Sequence, residues 1–404
     1  MHLDPSTVEV EKLILDSYRR DRIRTANYYF TDYLAEAVSA YPILESILRV
    51  SREDIAALRS SQDAHRDLMG TPFSVVTPVL TEVADWQCLI SGGPPTRTVE
   101  NLRAQIPTWP ESDALRLLYN NRDFSLLVME LLHRSAVAAP LLGISLDLAK
   151  YLRSLSPHAF DLAIQMAGFP AFRWRLQSKK FWIDLRSRHL SRECLGHHIL
   201  ESTPLRAHQL RSTPRRWAIQ VDPAMKPVYC DLMVRQRFRA SVVADVLGFP
   251  IEQVRKRHRL IHRRPSVSGQ LPQSKAWYFE TASHRLQATM VTTLHRAARA
   301  DGYNPVEALI AAYDLFRRFF GEESRVTPER SIHAAQLSES GAHLRLAPCK
   351  MCETPYLVAN SPDKIGMPTG FQCPGCFGKF HVRRRTAPGP LKTYSVNLRY
   401  FIDP

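Results

Sequence analysis

The chain has 404 residues, 45% of them hydrophobic, which is enough for two or three domains with real cores. Its 54 Lys plus Arg against 39 Asp plus Glu leave a formal net charge of +15, which points to a polyanionic partner, of which nucleic acid is the commonest. The amino terminus has no basic stretch followed by an apolar core, and Pro140 interrupts the longest small-apolar run, so no signal peptide and no membrane span are expected.

The first half contains a repeat at an offset of 94 residues. Asn27 matches Asn121, Phe30 matches Phe124, Glu36 matches Glu130, Leu48 matches Leu142, Ser51 matches Ser145, and Leu58-Arg59-Ser60 matches Leu152-Arg153-Ser154. After a four-residue slip, Gly70-Thr71-Pro72 stands opposite Gly168-Phe169-Pro170. A shared helical stripe alone would fit chance similarity between two amphipathic helices. The matched serines, which read as N-caps, and the matched Leu-Arg-Ser argue for duplication. Each copy reads as a long helix, a turn and two shorter helices, the second starting near Gln62 or Pro157. Short strand candidates lie at 73–80 and 171–176.

Between 189 and 227 the composition shifts to basic and polar residues punctuated by Pro204, Pro214, Pro223 and Pro227, the pattern of a linker or irregular arm. Residues 205–264 hold fourteen Lys plus Arg and four Asp plus Glu, a local net charge of +10. Within this stretch, 239–262 has the pattern of a helix-turn-helix: Ala244 where two helices meet, Gly248 for the turn, and Val254 to pack the second helix back. The candidate DNA-contacting residues are Gln253, Arg255, Lys256, Arg257, Arg259, Arg263 and Arg264, types able to reach base edges or phosphates. The bland alternative is a trihelical core with a solvated basic face. His197, His198 and His258 read as surface or DNA-facing residues.

Two further helices are expected, from about Ser283 to Ala300 and from the Gly302-Tyr-Asn-Pro305 turn to Phe320. Their aromatic residues read as core, not base-stacking platforms. Next come Cys349-Lys-Met-Cys352 and Cys373-Pro-Gly-Cys376, with Arg383-Arg384-Arg385 beyond them. Two Cys-x-x-Cys turns can supply the four thiolates of a closed tetrahedral site. One structural Zn2+ bound by Cys349, Cys352, Cys373 and Cys376 is therefore expected, with Lys350 and Lys379 offsetting part of the thiolate charge. A redox dithiol would need one pair, not two. Cys88, Cys194 and Cys230 stand apart from one another, as in a reducing cytoplasm.

From about Val228 to Arg385 the chain resembles FlhC, the zinc-containing subunit of the FlhD-FlhC transcription activator of bacteria. The resemblance rests on the order of the helix-turn-helix, Gly269-x-Leu271-Pro272-x-Ser274-x-x-Trp277, the helix with Ala312-Tyr313, and the four cysteines. The repeated half looks like two copies of FlhD, the second copy being the better match. The resemblance implies FlhD-like repeats over 1–110 and 111–188, a linker over 189–227, an FlhC-like helical domain over 228–346, a zinc ribbon over 347–386 and a tail over 387–404. FlhD and FlhC are ordinarily separate chains that assemble as four FlhD and two FlhC, a ratio that a homodimer of this chain would reproduce.

The expected fold is thus mainly α, a multi-domain helical protein with helix-turn-helix elements and a C-terminal zinc ribbon. The expected function is a cytoplasmic activator that binds double-stranded promoter DNA and recruits RNA polymerase, for flagellar genes or for transfer genes of a mobile element. The alternative is an RNA-associated or structural zinc-ribbon protein. No Walker loop, His-Glu-x-x-His, Gly-x-Ser-x-Gly or dinucleotide fingerprint organises the fifteen histidines, so no enzymatic role is expected.

Overall fold

Serines 51 and 145 each start a helix by accepting a backbone N–H three residues on, and the elements around them recur in the same order. The first copy comprises α1 (Ser17–Ala40), α2 (Glu45–Leu48), α3 (Arg52–Ser60), α4 (Gln62–Met69), β1 (Val76–Pro78), α5 (Val83–Ser91) and α6 (Arg97–Ala104). The second comprises α7 (Glu111–Arg134), α8 (Ala138–Leu142), α9 (Leu146–Ser154), α10 (Pro157–Ala167), β2 (Phe172–Trp174), α11 (Lys179–Arg186) and α12 (Arg192–Glu201). Both limits of α1 and α7, and of α3 and α9, are 94 residues apart. The structure, a computed structural model, describes residues 10–204, 217, 221–341, 343–359 and 371–380. Most of the expected linker from 205 to 220, residues 360–370, Arg383-Arg384-Arg385 and the 387–404 tail lie outside the described residues.

The two copies face each other across a local two-fold axis. Helices α1 and α7 run antiparallel, so Arg22 pairs with Glu130 at 3.6 Å while the equivalent Arg116 pairs with Glu36. Phe30 meets its equivalent Phe124 edge to face, with centroids 4.9 Å apart. Strands β1 and β2 form an antiparallel ribbon in which Thr77 stands opposite Arg173. Inside each copy a buried asparagine clamps the segment leading to the strand. Asn27 donates to Phe73 O (3.0 Å) and accepts from Val75 N (3.0 Å), and Asn121 does the same for Phe169 O (2.9 Å) and Ala171 N (2.9 Å). These partners are 96 residues apart, which corrects the four-residue slip read from the Gly-x-Pro turns. Helix α10 has 11 residues against 8 in α4, and a shorter connection to the strand offsets most of the difference.

The expected linker begins as helix, not as an arm. Helix α12 is buried along most of its length because Cys194, Leu195, Ile199 and Leu200 pack inward, and the prolines start only after it ends. A Cβ at Gly196 would lie 3.2 Å from the Phe319 ring, so a larger residue would push that ring aside at this close helix crossing. Nearby, the Arg175 guanidinium is buried without a carboxylate. It donates to Ser74 O, Leu141 O, Pro140 O, Ser202 Oγ and Thr203 Oγ1 at 2.9–3.1 Å, tying both copies to the end of α12. Burial lowers its pKa to about 9.

The second half comprises α13 (Lys226–Arg235), α14 (Ala240–Leu247), α15 (Ile251–His262), α16 (Trp277–Glu280), α17 (Ala282–Ala300), α18 (Pro305–Phe320), α19 (Pro328–Ser340) and the hairpin of β3 (Leu344–Pro348) and β4 (Pro355–Ala359). Every residue of α17 from Leu286 to Ala298 is buried, as expected of a central helix, and α12, α16, α18, α19 and β4 pack around it. Asn304 and Glu307 form a capping box at the start of α18, with Pro305 in its first turn. The halves share one core: Phe73 meets Phe319 at 5.5 Å, and Arg153 grips both oxygens of Asp301 at 2.7 and 2.8 Å. Among the described residues no helix is long and apolar enough to cross a membrane.

Candidate metal centre and nucleic-acid interface

The first cysteine pair closes the β3–β4 hairpin. Cys349 N–H bonds Thr354 O at 3.0 Å and Glu353 N–H bonds Cys349 O at 2.9 Å, folding the loop tightly enough that Glu353 takes a positive φ. Lys350 N–H bonds Phe371 O at 2.8 Å, which docks the second knuckle against the first. The result is a cluster of sulfurs, with Cys349 Sγ 3.9 Å from Cys376 Sγ and Cys352 Sγ 3.7 Å from Cys373 Sγ. Backbone N–H groups of Met351 and Cys373 point at Cys349 Sγ (3.4 and 3.2 Å), and that of Cys376 points at Cys373 Sγ (3.4 Å). Zn–S bonds of about 2.3 Å in a tetrahedron place sulfurs roughly 3.8 Å apart, as in these two pairs, so the cluster could hold a metal ion, although the group whose ligand atoms all lie within 4.8 Å of one another is Cys352, Cys373, Cys376 and His197, without Cys349. Sulfurs packed this closely otherwise share protons. Hydrogen bonding with Cys373 holds the Cys352 thiol below its ordinary range, the same bond pushes Cys373 up, and burial pushes Cys376 up.

The hairpin is fastened to α17 by Thr289 Oγ1, which accepts from Leu357 N at 3.0 Å, and by Arg285 Nε, which donates to Leu357 O at 2.9 Å. Arg285 also lies 4.3 Å from the Phe371 ring centroid. At the outer tip, Met351 and Phe377 are exposed, and Lys379 Nζ sits 5.4 Å from the Phe377 ring centroid.

His197 and His198 are not surface residues. Each is 1% exposed, because one face of α12 lies against α11 and the other against the knuckles. His198 Nε2 lies 3.1 Å from Asp184 Oδ2 and its Nδ1 3.0 Å from Glu201 Oε2. Burial alone would lower its pKa, but the two carboxylates outweigh that and raise it. Cys194 and Lys180 also approach Asp184, both at 3.2 Å. These spacings are those of a satisfied hydrogen-bond network. His197 turns the other way, to Tyr356 and the second knuckle. Sequence reading missed this because α12 was expected to be linker.

The basic segment is built from α13, α14 and α15. Gly248, at φ +70°, turns the chain between α14 and α15. Val254 is fully buried, and Ala244 is buried on the preceding helix. Gln253, Arg255, Lys256, Arg259, Arg263 and Arg264 are exposed, with Arg255 ion-paired to Glu252 one turn back. Arg257 faces inward instead, paired with Asp231 of α13 and donating to Pro227 O. His258, expected on the surface, is buried with Nδ1 3.3 Å from Arg264 O, because it falls on the same face as Val254. Both faces of Trp277 are covered, by His284 at 4.0 Å and the Arg330 guanidinium at 3.9 Å. Neither protein-family models nor curated proteins give a match to this chain.

Proposed function

We propose that the chain is a sequence-specific activator of transcription, a fusion of two FlhD-like copies with an FlhC-like half that holds one structural Zn2+ on Cys349, Cys352, Cys373 and Cys376. Its basic helix α15 enters the DNA major groove as the second helix of a helix-turn-helix, and the bound protein recruits RNA polymerase to flagellar or transfer promoters. The observation that carries the reading is the outward row Gln253, Arg255, Lys256 and Arg259 on a helix seated by Val254 behind the Gly248 turn. Arg257 then orients the helix through Asp231, and Arg263 and Arg264 serve the flanking phosphates. A second copy of the chain would supply a second reading helix.

Fluorescence anisotropy on duplexes from upstream of the gene and of its neighbours tests this reading. Affinity should fall steeply with salt, as phosphate contacts release counterions. Arg255→Ala or Lys256→Ala should cost about 1–3 kcal/mol on the cognate duplex and less on random DNA. Equal loss on both would reduce these residues to phosphate contacts. The exposed Met351, and Phe377 beside Lys379, favour a second reading, contact of the knuckle tip with unpaired bases in RNA, for which a structured RNA with an unpaired loop would compete better than duplex DNA.

A further inference from the structure

His197 brings α12 against the second cysteine knuckle. Its Nδ1 lies 3.0 Å from the Tyr356 hydroxyl. Tyr356 is fully buried, and its hydroxyl can donate to Nδ1 or accept from it. When the hydroxyl donates, the ring hydrogen sits on Nε2. That nitrogen is buried and has no oxygen or nitrogen partner among the described residues. It is aimed at the knuckle: a Cβ at Gly375 would fall 2.3 Å from Nε2 and 2.2 Å from Cδ2, so the glycine of Cys-Pro-Gly-Cys leaves room for this imidazole. A ring nitrogen of His197 and the sulfurs of Cys352, Cys373 and Cys376 all lie within 4.8 Å of one another.

We propose that His197 donates its Nε2–H to the thiolates of the cysteine centre as an outer-sphere positioning residue, joining the repeated half of the chain to the metal. The inference rests on the proposed zinc centre. Four thiolates on a dication leave two excess negative charges, and a buried N–H that finds no other acceptor is the group to offset them. Direct ligation by His197 in place of Cys349 is the competing arrangement. It is disfavoured because Cys349 Sγ already stands 3.9 Å from Cys376 Sγ and receives the N–H groups of Met351 and Cys373.

The test substitutes Co2+ into the full-length protein and reads the d–d absorption bands together with the rate of metal transfer to a chelating dye. Wild type should bind one Co2+ with a four-sulfur spectrum. His197→Phe, which keeps a ring but removes the donor, should keep that spectrum and lose metal roughly 10–100-fold faster. His197→Gln, which returns an N–H near Nε2, should restore most of the retention. Equal release from wild type and His197→Phe overturns the proposal, as does a shift of His197→Phe away from a wild-type three-sulfur, one-nitrogen spectrum, which would make His197 a ligand. Should His197→Phe fail to fold by circular dichroism, Tyr356→Phe, which unlocks the tautomer, must itself release metal several-fold faster, and unchanged release there overturns the proposal. Failure of wild type to bind any Co2+ overturns the zinc centre itself, a result distinct from the others.

Discussion

Residues 17–201 and the cysteine segment at 344–359 and 371–380 are ordered by different means. The two copies bury large rings and aliphatic side chains all along their joint, with Phe30, Phe124, Phe172 and Trp174 near its centre, and repeat the asparagine clamps and the Arg22 and Arg116 ion pairs on both sides of the two-fold. The cysteine segment offers Leu344, Tyr356, Leu357, Val358 and Phe380 as its buried apolar side chains, together with four sulfurs and a five-residue hairpin ladder. A core that small does not offset the entropy of ordering its own loops. Helical packing therefore accounts for one region, while the proposed metal would add a cross-link through the sulfurs to the other.

Metal removal should separate the two regions most sharply. Stripping the cysteine centre with a chelator, or replacing Cys373 by Ser, should remove stabilisation on the order of 10 kcal/mol from the knuckles. Amide exchange should accelerate throughout 344–359 and 371–380 and spread along α12 through His197, while α1 and α7 stay protected. Uniform acceleration across both regions would show that the copies lean on the knuckles and end the contrast. The next largest effect lies on the other side: Phe124→Ala removes a ring that meets Phe30, Tyr29, Tyr33 and Phe172 and should cost about 3–5 kcal/mol in chemical denaturation. Metal content measured on the same variant should not change.

Asn27→Ala and Asn121→Ala test whether the two copies are energetically equivalent as well as alike in shape. Each change leaves a buried carbonyl and a buried N–H without their partner, at roughly 1–3 kcal/mol per group. The losses should match within about 0.5 kcal/mol, and the double variant should be additive because the two sites share no partner. A much larger loss at Asn121 would place the folding burden on the second copy.

These asparagines also show how far the sequence could be read. Asn27 and Asn121 are identities at the 94-residue offset, and Ser51 and Ser145 announce their helices through local capping chemistry that needs no tertiary partner. The apolar stripe of α18 and the pairing of the knuckles were legible for the same reason, since spacing alone encodes them. What could not be read depends on where distant elements meet. His197, His198 and His258 look like polar surface residues until packing supplies Tyr356, Asp184 and the Arg264 carbonyl. The inward turn of Arg257 is set by Asp231 on another helix, and the covering of Trp277 by Arg330 on a third. The Arg22 and Arg116 match lay in the sequence at the same offset, but its meaning appears only when α1 and α7 are antiparallel.

That ion-pair couple gives the smallest effect and the finest test of the two-fold. Arg22–Glu130 and Arg116–Glu36 are the same pair seen from each copy, but their surroundings differ: Glu130 is 21% exposed in its side chain, whereas Glu36 is 55% exposed. Exposed pairs contribute about 0.2–1 kcal/mol, and solvent screens the more exposed one further. Double-mutant cycles to Ala should therefore place Arg22–Glu130 toward the upper end of that range and Arg116–Glu36 near its floor, with both couplings shrinking in 1 M salt. The reverse order would mean that the axis is distorted toward the first copy, with the α1–α7 contact set by the rings at Phe30 and Phe124 and not by the charges flanking them.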